Sequence, residues 1–140
     1  MTPDDLRLLQ HDLAALDAEA LTIDFYDRLF EVAPGVRPLF PDDLAEQRRK
    51  LGAELAVLVD LATSLAAGDH RRFVERAHRL GARHVRYGAA PAHYPVVGET
   101  LLDALATALP TWDDAHRDAW SRLHAVVAET MLEGARLAGA

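Results

Sequence analysis

Apolar residues recur along this chain at steps of three and four, and no segment alternates apolar and polar side chains with a period of two. Such spacing admits helices and excludes a half-buried strand. The clearest stripe is Leu44, Leu51, Leu55, Leu58, Ala62 and Leu65, which falls on one face of a helix. Ala and Leu dominate the apolar half of the sequence, and both are strong helix formers. The expected fold class is therefore all-α, and 140 residues suit one domain with one core.

Prolines, glycines and capping residues divide the chain into six helical stretches. Thr2-Pro3-Asp4-Asp5 opens the first with an N-cap, a first-turn proline and two acids that suit the helix dipole. It runs to about Leu16. The second spans about Asp17 to Val32 and stops near Ala33-Pro34-Gly35, before a short turn from Val36 to Phe40. Asp42-Asp43 starts a third, which ends between Ala66 and Gly68. Asp69 caps a fourth that ends near Gly88. Ala90-Pro91 opens a fifth that stops before Pro110. Thr111 with Asp113 and Asp114 opens the last, which reaches about Leu137.

Several functions are excluded by what the sequence lacks. It has no cysteine, so disulfides, zinc-thiolate sites, iron–sulfur clusters and thiol catalysis are ruled out. A net charge of −7 argues against nucleic acid or an anionic membrane as a partner. The acidic start lacks the basic and apolar regions of a leader peptide, and no apolar run approaches the roughly 20 residues of a membrane span. The expectation is a cytoplasmic protein.

Three polar side chains occupy positions meant for the core. Phe73, Ala77 and Leu80 line one face of the fourth helix, and the next position of that face is His84. Gln47 falls between Leu44 and Leu51 on the third. Tyr26 shares a stripe with Thr22, Leu29 and Phe30 on the second. Polar groups are costly to bury without partners. Either each reaches a nearby backbone group, or they converge on a cavity that holds a metal and a polar ligand.

The sequence around these residues resembles a known family. The segment LGARHVRYGAAPAHYPVVGETLLDAL is similar to the proximal region of bacterial haemoglobins, flavohaemoglobin globin domains and neuroglobin-like globins. FYDRLFEVAPGVRPLF resembles their second helix and following turn, and AWSRLHAVVAETM their last helix. The similarity runs from about Leu6 to Leu137. It implies a globin fold, with helices packed around a haem pocket, as a single domain over residues 1–140.

Carried over position by position, the resemblance makes His84 the proximal ligand to the iron of haem b and Phe40 the phenylalanine that packs on the haem face. Tyr26 matches the distal tyrosine, and Gln47 and Leu51, in QRRKL, match the distal glutamine and the apolar residue one turn later. Leu80 is expected under the macrocycle, with Val97 and Leu101 along its edge. Lys50 and Arg83 are the candidate partners for the propionates, with His93 close by. Tyr94, in HYP, matches the tyrosine that flavohaemoglobins place near the proximal imidazole. Those proteins set a glutamate beside it, whereas alignment on Trp120 puts Ala135 there. That departure implies a less anionic imidazole, and so gas binding rather than peroxidase-like turnover.

The implied activity is reversible binding of O₂, and of CO and NO, for oxygen transport, storage or sensing. The alternative is nitric oxide dioxygenation. It needs electrons from a separate reductase, because the sequence carries no dinucleotide-binding motif. A haem-free helical module is the remaining reading, and the joint presence of Tyr26, Gln47 and His84 argues against it. Of the other histidines, His78, six residues before His84, faces another side of its helix, His11, His70, His116 and His124 read as surface groups, and Trp112 and Trp120 read as packing residues.

Overall fold

The computed structural model describes residues 1–139. It contains six α-helices: α1 (Pro3–Ala15), α2 (Ala18–Val32), α3 (Ala45–Ala66), α4 (Arg71–Arg86), α5 (His93–Ala108) and α6 (Asp114–Gly139). A 3-10 turn, Pro34–Leu39, joins α2 to the loop before α3. There is no strand among the described residues, and no helix is long and apolar enough to cross a membrane.

The caps act largely as the sequence implies. The Thr2 hydroxyl accepts from the Asp5 N–H while the Asp5 carboxylate accepts from the Thr2 N–H, which closes a capping box at α1. Asp17 caps α2 through the Ala20 N–H. At the start of α6, the Asp113 carboxylate accepts from the His116 N–H.

Three helix starts differ from expectation. α3 begins at Ala45, not at Asp42-Asp43, because the Arg37 guanidinium donates to the carbonyls of Phe40, Pro41 and Asp42 and holds that segment in a loop. The Asp43 carboxylate then takes the Ala45 N–H at 2.9 Å. The cap position of α4 is His70, while the Asp69 N–H is spent on the Ser64 carbonyl. α5 begins at His93, whose Nδ1 accepts the Ala90 N–H, so that Ala90-Pro91 forms a turn ahead of the helix.

α4 and α6 share the most extensive interface, and their backbones cross where glycines leave no side chain between them. A Cβ on Gly81 would stand 1.8 Å from the Met131 carbonyl oxygen, and one on Gly134 would stand 2.4 Å from the His78 Cα. α2 packs on α5 and α3, and α1 packs on α6 and α3. Their common core includes Leu9, Leu21, Phe73, Leu105 and Trp120.

α1 and α6 are also joined by buried polar groups. Asp12 accepts from Trp120 Nε1 at 2.9 Å and pairs with His116 Nδ1 at 2.7 Å. All three residues are buried. The reading of His116 as a surface group is thus overturned. Its partner comes from a helix more than a hundred positions earlier, so no local pattern displays the pair. His124 is half-buried as well. Its ring lies against Gly98, where an added Cβ would fall 2.4 Å from it. Burial lowers the His124 pKa, against the raising effect of a hydrogen bond with the Tyr94 backbone.

Candidate functional site

His84 sits in the last turns of α4, half-buried. Its Nδ1 is 2.7 Å from the Leu80 carbonyl oxygen, one turn earlier on the same helix. The carbonyl can only accept, so Nδ1 carries a proton, and in the neutral imidazole Nε2 is the nitrogen with the lone pair. One hydrogen bond thereby fixes both the tautomer and the ring plane. Leu80 itself is buried beneath this turn.

Tyr26, on α2, is buried at the centre of an aromatic cluster. Its ring centroid lies 5.0 Å from Phe25, 5.9 Å from Phe30 and 5.6 Å from Phe40. Phe30 and Phe40 touch edge-on at 5.4 Å, and the Arg37 guanidinium lies over the outer face of Phe30 at 4.9 Å. Burial raises the pKa of the Tyr26 hydroxyl, and a hydrogen bond with the Gln47 side chain opposes that rise in part. The structure therefore brings Tyr26 and Gln47 together. The one comes from the middle of α2 and the other from the first turn of α3.

The loop before α3 connects this cluster to α4. After α4, the chain turns at Gly88, which has φ +93°, a conformation open to glycine at little cost. A Cβ built there would lie 3.0 Å from the Leu39 side chain. The next residue, Phe40, is the one that touches Tyr26. Leu39 and Phe40 thus bridge the end of α4 that carries His84 and the aromatic cluster that carries Tyr26.

Leu51, Tyr94, Val97, Leu101 and Phe40 are apolar residues packed on the core yet only partly covered by it. Burial raises the Tyr94 pKa, and the hydroxyl stays protonated at neutral pH. Lys50 is exposed on α3 and Arg83 on α4, and neither forms an ion pair among the described residues. His93, expected near them, is engaged in its turn. Glu133, two residues before Ala135, pairs with His78 at 2.9 Å. Ala135 offers no acid in its place.

Sequence reasoning did not find Arg37. Its position in GVRPLF gives no periodic signal, because its three carbonyl partners belong to a loop with no repeating pattern. Phe30 was legible as part of the Tyr26 stripe, but its edge-on contact with Phe40 was not.

Comparison with known proteins agrees with this architecture. The globin family model matches residues 23–131. A rice protein (Oryza sativa subsp. indica) named anaerobic nitrite reductase is 29% identical over 139 residues, covering 94% of this chain and 92% of its own length. A flavohemoprotein of Deinococcus radiodurans is 29% identical over 138 residues, which span 94% of this chain but 33% of that protein. The structure of a bacterial globin from Campylobacter jejuni superposes with a TM-score of 0.82 at 26% identity, covering 97% of each chain. The all-helical architecture and the extent of these matches establish that the chain belongs to the globin family.

Proposed function

We propose that this globin binds haem b through His84 Nε2 and reversibly holds O₂ beside Tyr26 and Gln47. The observation that carries the reading is the hydrogen bond from His84 Nδ1 to the Leu80 carbonyl. It leaves the other ring nitrogen free to ligate a metal, and a basic, oriented imidazole is what such a ligand requires. No group of three or more His, Asp or Glu side chains converges as a metal site among the described residues. A single imidazole suits a metal whose other ligands come from a macrocycle. The partly covered apolar side chains of Phe40, Leu51, Tyr94, Val97 and Leu101 suit a flat, largely apolar ring.

Haem, when bound, would supply an iron atom able to take a diatomic gas, O₂, CO or NO. The protein's own groups do the rest. His84 would ligate the iron, and Leu80 would pack against the macrocycle beside it. Phe40 and Leu51 exclude water, while Lys50 and Arg83 are the partners for the propionates. Tyr26 remains a protonated donor at neutral pH because burial raises its pKa. Its hydroxyl and the Gln47 amide can both donate toward a ligand carrying partial negative charge. Each such bond is worth roughly 1.5–3 kcal/mol. That favours O₂, which polarises strongly, over CO.

The same two distal donors, Tyr26 and Gln47, suit a second reading, nitric oxide dioxygenation. In it, NO and O₂ combine to nitrate, and an outside reductase returns one electron to the protein. Absorption spectra of the haemin-supplied protein in its ferric, ferrous, O₂ and CO forms test the first reading. A colourless product refutes it. A single-turnover NO titration of the O₂ form, with and without a reductase, then separates the two readings: cyclic consumption marks the enzyme, and accumulation of ferric protein marks the binder.

A further inference from the structure

α4 carries six of the chain's 15 cationic side chains and a single carboxylate, Glu75, within a protein whose net charge is −7. The arginines are not scattered. Arg72, Arg76, Arg79, Arg83 and Arg86 recur at steps of four and three, which puts them on one face of the helix. Four of them, with Ala82, line an open groove of about 300 Å³ along that face. Ala82 is the one apolar residue in a lining otherwise made of arginines.

The acids that face this groove are already engaged. Glu54, from α3, holds Arg76 through two hydrogen bonds at 2.8 and 3.1 Å. Glu75 pairs with Arg71, outside the groove, at 3.1 Å. Arg79 spends only its Nε, on the Glu75 carbonyl, and its terminal amino groups make no bond among the described residues. Arg83 and Arg86 are exposed and form no ion pair among the described residues. Favourable interaction with the helix dipole accounts for cations in the last turn, where Arg83 and Arg86 lie. It does not account for Arg79 or Arg76, a turn or more further back. Like charges one turn apart repel, and a stripe of them is stabilised when an anion lies between them.

We propose that this groove is a binding site for a compact polyphosphate anion, such as an inorganic or nucleotide triphosphate chain. From Arg79 to Arg86 is seven residues, about 10 Å along a helix axis, a length that two or three linked phosphates can span. Guanidinium forks match phosphate oxygens two at a time, and three of them satisfy a triphosphate better than one orthophosphate. The groove shares Arg83 with the haem reading, but Arg79 and Arg86 have no part in that reading.

Calorimetric titration of the chain with sodium tripolyphosphate at low salt tests it, with orthophosphate as the comparison. One saturable site is expected, with tripolyphosphate binding at least tenfold more tightly than orthophosphate and weakening as salt rises. The double variant Arg79→Gln, Arg86→Gln should weaken binding at least tenfold. Ala82→Leu, which adds bulk to the lining without changing any charge, should weaken it too. Arg136→Gln, on α6 outside the groove, should leave it unchanged. Arg83 is left intact, so a role toward propionates does not enter. No saturable heat, equal affinity for orthophosphate, or an equal loss in Arg136→Gln overturns the proposal.

Discussion

The Nδ1 of His84 and the carbonyl oxygen of Leu80 lie 2.7 Å apart across one turn of α4. A helical carbonyl at this position already accepts from the backbone N–H four residues on, so the imidazole takes its second lone pair. The bond is local and survives any movement of α4 as a body. On the proposed role, His84→Gly should abolish stable haemin retention, seen as loss of the Soret band after gel filtration. Added imidazole should restore the band, because it supplies the nitrogen without the tether. Retention at wild-type level without imidazole would mean that another group ligates the iron.

Tyr26→Phe removes one hydroxyl and keeps the ring that packs on Phe25, Phe30 and Phe40. The fold should tolerate it. If the hydroxyl donates to O₂, the off-rate measured by stopped flow should rise at least tenfold, since tenfold corresponds to about 1.4 kcal/mol. CO release should change much less, because CO carries little negative charge. Equal effects on both gases would point to a steric role instead.

Much of this site was legible because its parts sit on helix stripes. His84 follows Phe73, Ala77 and Leu80 on one face, and the bond to Leu80 is a consequence of helical geometry, so sequence alone could anticipate it. The expected fold class and the globin resemblance are both borne out. What could not be read was set by distant partners. His116 looked like a surface residue until Asp12 and Trp120 were brought to it. The start of α3 was misplaced because Asp42 and Asp43 signal a helix locally, while Arg37 holds that stretch in a loop. The arginine stripe of α4 was present in the sequence but hidden by the overall negative charge.

Asp12 offers a direct measure of the buried polar link between α1 and α6. Asp12→Ala would leave His116 Nδ1 and Trp120 Nε1 without their acceptor in a buried site. Breaking one side of such a pair costs about 3–5 kcal/mol. Chemical denaturation should show that loss, with the slope of the transition unchanged. A loss under 1 kcal/mol would mean that water reaches the two donors and replaces the carboxylate.

Acid stability should depend on Asp5. Burial pushes its pKa upward, but the Thr2 N–H and hydroxyl and the Arg122 guanidinium outweigh burial and hold it below the ordinary 3.8. A carboxylate whose folded pKa is depressed contributes stability above its unfolded value, and that contribution is lost as pH falls through the folded value. The wild-type chain should therefore lose part of its stability below about pH 4. Asp5→Asn should be less stable at pH 7 and show a shallower decline in the acid range, as followed by thermal melts at stepped pH. Parallel curves for the two proteins would remove Asp5 from the account.

Two helical glycines, Gly81 at the crossing of α4 and α6 and Gly52 in α3, should respond in opposite ways to a methyl group. A methyl at Gly81 would need the space of the Met131 carbonyl, 1.8 Å from the Cβ position, and backbone cannot yield as a flexible side chain would. The helices must separate, which opens the core around Phe73 and Leu80. Gly81→Ala should cost about 3 kcal/mol or more, at the upper end of overpacking effects. For a chain of this size that corresponds to a fall of roughly 10 °C in Tm. At Gly52, inside α3, the nearest atom to an added Cβ is the Ala18 side chain at 3.6 Å, an ordinary contact. Gly52→Ala should therefore stabilise the protein by about 0.5–1 kcal/mol, because alanine loses less backbone freedom on entering a helix. Calorimetric melts of the two variants should move in opposite directions. A neutral Gly81→Ala would show that α4 and α6 do not meet backbone to backbone in solution.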